Sequence, residues 1–317
     1  IDSNHGSGVE VLNQDAVVTM EDVQITRTQP GDNGAGIFAI GLDIGTGTSV
    51  NVVRGLVDQN YGFGVVLHED GALTMEDSAI SHTQPMPGSG DRGWGLANLL
   101  TPKATAQLTR VLIAHNHVLG VSWGGEGSVL QMGDVAIIHT QPRQSNSFGG
   151  IGLFLEADPM GVHDEGVSVA FARGLIAHSH SAGIIAINRG CTLTMEDLTV
   201  QDTQPAQHDS SGGIGIMVLK GAHGTLLRGV VARNRTFGVL VGAGSSQTFP
   251  DSRLTMEDVV IEGTLPQLSD MTLGRGLTVQ DGASVEFARG LVQSNHEAGI
   301  YVLTPGTRAD LQDITVR

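Results

Sequence analysis

Aromatic residues make up only 4% of this 317-residue sequence, and a single cysteine, Cys191, stands alone in it. One thiol excludes an internal disulfide framework, so stability rests on packing and strand pairing. Few aromatics leave few platforms on which a sugar ring or a base could stack. Cations are short as well, 17 Lys and Arg against 33 Asp and Glu, and the net charge of -16 repels phosphate backbones and anionic lipid. Nucleic acid is therefore not an expected partner. No run of eighteen apolar residues offers a membrane span, and residues 1–8 carry no basic, apolar leader. What is abundant is glycine, 45 residues beside 10 prolines, with 40% hydrophobic residues. That much glycine disfavours helices and suits a β-rich, turn-rich body with a long apolar core.

Self-similarity organises the chain. Five segments of LTMED type ending in TQP or a variant occupy 18–30, 73–85, 130–142, 193–205 and 254–266. Between them lies a second unit, RGLVxxN followed by GV or GI, beginning at Arg54, Arg110, Arg173, Arg228 and Arg289. Each unit holds short alternating runs, such as Leu254 and Met256 or Val285 and Phe287, bounded by Gly, Asn, Thr or Pro. These are strands between turns, in two alternating coil types of a stacked solenoid.

Alignment of the two types produces chemical columns. One reads Asp22, Arg54, Asp77, Arg110, Asp134, Arg173, Asp197, Arg228, Asp258, Arg289 and Asp313, alternating in sign throughout. Strands pair about 4.8 Å apart, so each Asp is expected between two Arg side chains, in an ion-pair ladder that fixes register. Six residues further on comes a polar column: Thr28, Asn60, Thr83, Asn116, Thr140, Ser179, Thr203, Asn234, Thr264 and Asn295. Amides and hydroxyls there can bond the backbone groups that a sharp bend leaves unpaired, and their own copies in the next coil. Gly64, Gly120, Gly183, Gly238 and Gly299 follow the Asn or Ser at a fixed spacing and are expected to relieve a turn. The TQP coils carry insertions at 32–33, 86–92, 143–148, 206–211 and 267–273, each closing on a GxG pair, the first being Gly34 and Gly36. β-branched strand residues follow these glycines where a phosphate-binding loop needs a helix, so they read as loop closure. The loops should form a ridge at every second coil.

Over its whole length the chain resembles the right-handed parallel β-helix repeat family, the pectin-lyase-like superfold. The LTMEDVVIEGTLP and ARGLVQSNHEAGIYV units are similar to those of large secreted proteins of myxobacteria and their relatives. The resemblance implies an all-β, right-handed parallel β-helix of about eleven coils and an extracellular or cell-surface location. It implies no catalytic residues: the D-D pair, G-H-G string and D-H pair that mark polysaccharide-cleaving members are absent. Residues 1–317 are expected to form a single domain without terminal caps, a segment of a longer protein, because bare coil ends would expose strand edges and core.

Three clusters could carry chemistry. His82, His115, His139 and His178 fall one place before the polar column in four successive coils, with His117 and His180 two residues beyond two of them. Six imidazoles in one patch could bind Zn, Ni or Cu, or sense pH by mutual repulsion; the bland alternative is drift of a solvated column that also admits Arg27, Gln59, Asp202 and Arg233. Glu156, Asp158, Asp164 and Glu165 could serve as acid and base on a sugar or ligate calcium, against a simple solvated insertion; no GGxGxD string supports calcium. Cys191 reads as a small buried hydrophobe, while Trp94 and Trp123 serve either as ligand platforms or as wall packing. The leading expectation is a non-enzymatic, rigid surface module that displays its loops to copies of itself or to other surface proteins and could self-associate into fibres. The rival is a polysaccharide-binding or polysaccharide-cleaving β-helix, a lyase or glycoside hydrolase.

Overall fold

The computed structural model describes residues 1–31, 39–157, 166–243 and 252–317. These residues form strands, turns and bends and no helix. All strand pairs are parallel, and they assemble a β-helix in which the chain passes once per coil through each of two sheets. The 11-stranded sheet runs in strict chain order from Ser7–Val11 through Ile40–Ile44, Phe63–Leu67 and Trp94–Ala97 to Ala298–Val302. Eleven levels match the coil count expected from the repeats.

The second sheet is folded along its length. Ala72–Ser81 and Thr105–Ala114 run through the fold line as continuous strands, whereas Val17–Glu21 and Gln24–Thr26 stop on either side of it. The fold line is the charge column. All eleven of its residues, Asp22 through Asp313, adopt left-handed backbone with φ of 50–57°. A second left-handed column, five residues on, holds Arg27, Gln59, His82, His115, His139, His178, Asp202 and Arg233. Both columns exclude β-branched residues, whose side chains clash in this conformation.

Inside, one apolar cluster runs from Val11 to Val292. One core column pairs Met20, Val52, Met75, Leu108, Met132, Phe171, Met195, Leu226, Met256, Phe287 and Leu311 in register. In the Arg-Gly dipeptides the core side chain three residues before the Gly occupies the space a Cβ would need, Val52 against Gly55 and Leu226 against Gly229 among them. A Cβ on Gly174 would collide with the Phe171 ring, and one on Gly290 with that of Phe287. In the Asp coils of Met132 and Met256 the matching positions hold Val135 and Val259, both buried.

Candidate functional site

The charge column is one-sided. Each Arg reaches back to the preceding Asp coil with a two-nitrogen fork: Arg54 to Asp22 at 2.7 and 2.9 Å, Arg110 to Asp77 at 2.5 and 2.9 Å, Arg173 to Asp134 at 2.9 and 2.9 Å. Arg228 and Arg289 grip Asp197 and Asp258 in the same way. Four of the five forks also take the neighbouring Glu21, Glu76, Glu196 or Glu257; Gly133 leaves Arg173 without that carboxylate. The expected placement of Asp between two Arg holds by position, but hydrogen bonds form to one neighbour only. These bonds hold the Asp22, Asp77, Asp134 and Asp197 carboxyls below their usual range. A groove of about 680 Å³ lies beside the ladder, lined by Asp22, Arg54, Asp77, Arg110 and Leu112. Its guanidiniums are already engaged by carboxylates, so the wall offers paired charge rather than a free cation.

The polar column works differently from a self-pairing ladder. Asn60, Asn116, Asn234 and Asn295 accept from the backbone N–H of Thr28, Thr83, Thr203 and Thr264 at 2.9–3.1 Å. Their Nδ2 atoms donate to the carbonyls of Ile25, Ile80, Val200 and Ile261. Each Asn thus staples its coil to the Asp coil before it. The fixed-spacing glycines relieve close strand packing rather than a turn, a Cβ on Gly64 lying 2.6 Å from the Gly95 carbonyl oxygen and 3.0 Å from Thr83 Oγ1; it is the second glycine of a closing pair that faces the staple, a Cβ on Gly95 lying 2.8 Å from Asn116 Nδ2. TQP glutamines cap the second left-handed column, with Gln84 Nε2 donating to the His82 carbonyl and Gln141 to that of His139.

Four of the six candidate histidines come together. His82, His115, His139 and His178 stack face to face, with centroids 4.9, 4.8 and 4.7 Å apart and ring planes within 8°. Asp58 accepts from His82 Nδ1 at 2.9 Å and from Ser81 Oγ at 2.7 Å. Partial burial, and then the neighbouring imidazoles, push His115 and His139 below the usual histidine value. His117 and His180 do not join the ring stack. The left-handed residues His115 and His178 break the strand alternation, Asn116 and Ser179 turn inward, and the next rings turn to backbone, Nδ1 lying 3.1 Å from the Thr83 carbonyl and 3.2 Å from that of Pro205. Burial lowers both rings' proton affinity. Among the described residues no three His, Cys, Asp or Glu side chains gather as a metal site.

The remaining candidates are spread along the rod. Asp158, Asp164 and Glu165, like the 32–33 insertion with Gly34 and Gly36, lie outside the described residues. Glu156 is described, its carboxyl raised by burial and 3.5 Å from Asn188 Nδ2. Cys191 is buried and its thiol is pushed up to about 12 by desolvation. Trp123 is core, and Trp94 packs edge-on against Phe63 at 5.4 Å. Asn13 and Asp15 share the N-x-D spacing of the polysaccharide-cleaving members but sit exposed in a turn. One pair escaped the column reading: buried Asp43, on the outer side of the 11-stranded sheet, lies 2.9 Å from His68 Nε2 in a hydrogen bond, and burial raises its carboxyl above the usual range. Asp43 pairs in register with Val66, two residues before His68, so no repeat position links the two.

Four insertions are copies of one six-residue loop. At 86–91, 143–148, 206–211 and 267–272 the first N–H donates to the sixth carbonyl at 2.7–2.8 Å, and the fifth N–H returns to the first carbonyl at 2.8–3.0 Å. Ser89, Asn146, Asp209 and Asp270 each accept from the N–H two residues on. The first three loops touch in succession: Arg143 lies 3.4 Å from Asp91, and the Phe148 ring lies 3.8 Å from that of His208. The first glycine of each closing pair, Gly93, Gly150, Gly213 and Gly274, has φ of 85–93°, a turn requirement, while the second belongs to the staple column.

No protein-family model matches the chain, and no curated protein matches it. Among solved structures it is similar to pectate lyase Pel9A, at 10% sequence identity and a TM-score of 0.47 over 96% of this chain and 78% of that one. That likeness brings no activity or residue role to this chain.

Proposed function

We propose that the chain is a rigid, non-enzymatic module of an extracellular or cell-surface protein that presents its loop ridge to copies of itself or to other surface proteins. The observation that carries this reading is the repetition of one loop geometry at four alternate coils, with the first three of these loops in contact. Such a ridge holds its tips at intervals of about 10 Å without any reaction centre. The tips are apolar in part: Phe148, Leu268 and Met271 are 51%, 45% and 59% exposed. They sit on two of the four loops, Phe148 on 143–148 and Leu268 with Met271 on 267–272, and exposed apolar groups at loop tips favour association over solvation. The charge ladder and the Asn staples supply the stiffness.

Beads coated with the chain test this. Clustering at near-neutral pH is expected, and it is expected to fall several-fold for Phe148→Ser/Leu268→Ser/Met271→Ser. Clustering that is absent, or unchanged in the triple variant, sinks the ridge. Asp43 and His68 favour the rival polysaccharide-cleaving reading, since a raised carboxyl beside an imidazole is the pairing an acid–base step needs. Sustained release of unsaturated or reducing sugars from uronic-acid polysaccharides, lost on His68→Gln, would replace the display reading with that one.

A further inference from the structure

The histidine stack is an observation independent of the loop ridge. Asp58 is acceptor-only when ionised, so His82 Nδ1 carries the proton that bonds it at 2.9 Å. The lone pair of neutral His82 is then on Nε2. A ligating histidine characteristically donates its other N–H to a carboxylate in this manner, and here that carboxylate is itself anchored by Ser81. The rings of His115, His139 and His178 follow that of His82 in near-parallel stack. We propose that the stack binds divalent transition-metal ions, His82 and His115 clamping one ion and His139 and His178 a second, through Nε2, with water in the remaining positions.

Geometry sets the terms. Metal–nitrogen bonds of 2.0–2.1 Å place two ligating nitrogens about 3.4 Å apart on a tetrahedral ion, so each ring of a pair 4.7–4.9 Å apart must tilt by about 0.7 Å at its tip. His82, with half its side chain exposed, has room to do so. Parallel rings direct their lone pairs side by side rather than toward one point, which is why no three-ligand group exists among the described residues. Two protein ligands per ion make an open, modest-affinity site in which Cu(II) binds more tightly than Zn(II).

Calorimetric titration of the chelator-treated chain with zinc chloride and with copper chloride, at pH 7.5, tests the proposal. Two ions per chain are expected. His115→Gln/His139→Gln should abolish both, and it should fold, because Gln59 occupies the same left-handed column. Asp58→Asn should weaken one ion by about 10- to 100-fold and leave the other unchanged. Unaltered binding in the double variant, or no binding up to millimolar metal, overturns the proposal. Copper-induced broadening of imidazole resonances in the unsubstituted chain tests the same site free of any folding defect: the four stacked rings should broaden first, and broadening led by His117, His180 or His208 refutes the site.

Discussion

Ser179 is the one interruption in the staple column, and repairing it should stabilise the rod. In four Arg coils an Asn makes two bonds to the preceding coil, buried in all but the last, but the serine hydroxyl at 179 is too short for either and is buried with no hydrogen-bond partner among the described residues. Gly152 lies over Ser179 as Gly95 lies over Asn116, so the glycine that makes way for the amide in one coil is present in the other. In Ser179→Asn, Oδ1 should accept from the Thr140 N–H and Nδ2 should donate to the Ile137 carbonyl. Two bonds at about 1 kcal/mol each, less about 1 kcal/mol for fixing the side chain, give a net gain of about 1 kcal/mol. The reciprocal Asn116→Ser strands the Thr83 N–H and the Ile80 carbonyl in the interior and should cost about 2–4 kcal/mol. Urea denaturation would show a higher midpoint for Ser179→Asn and a lower one for Asn116→Ser, with unchanged slopes. Amide exchange supplies the local signature: Thr140 should exchange faster than Thr83 in the unsubstituted chain and slow on Ser179→Asn. A neutral or destabilising Ser179→Asn together with an inexpensive Asn116→Ser would refute the staple.

Three further outcomes follow from the geometry. Arg173→Asp removes the fork on Asp134 and sets three acids in a row with Asp197, so it should lower the unfolding midpoint at low ionic strength and less at high; an equal loss at both would sink the ladder. His115, His117, His139 and His180 all have folded-state proton affinities below the unfolded value near 6.5, so the unfolded chain binds more protons and stability should fall as pH drops below about 6.5; in metal-free buffer a thermal midpoint that is flat or rising on acidification through pH 6 would contradict this. The Cys191 thiol, buried and raised to about 12, should resist a disulfide exchange reagent in the folded chain and react on unfolding; rapid native-state labelling would show otherwise.

Which side chains share one position around the rod was readable from sequence, and which way each one turns was not. The columns through Asp22, Thr28 and His82 predict which side chains lie at equal angle on successive coils, and the four stacked imidazoles bear this out. Rotamers decide the rest. Nothing in the spacing of Arg54 says whether its fork turns to Asp22 or Asp77. The left-handed backbone of both bend columns does leave a trace, since neither contains Val, Ile or Thr, but charge was the more conspicuous pattern there. Period-two reasoning grouped His117 with His115 because it assumed an unbroken strand, and the left-handed residue at 115 reverses that assumption. Asp43 with His68, and Phe148 with His208, meet across coils at unequal repeat positions, so column alignment could not find them.

The direction of the forks and staples has a consequence for ancestry. Both bind an Arg coil to the Asp coil before it, so the heritable unit is a doublet. Deleting one Arg coil would bring Asp against Asp and Thr against Thr at the scar, and deleting one Asp coil would bring Arg against Arg; deleting a doublet restores the alternation. Relatives of this rod should differ in length by even numbers of coils, in increments of about 10 Å, with recombination joints falling after an Arg coil rather than before it.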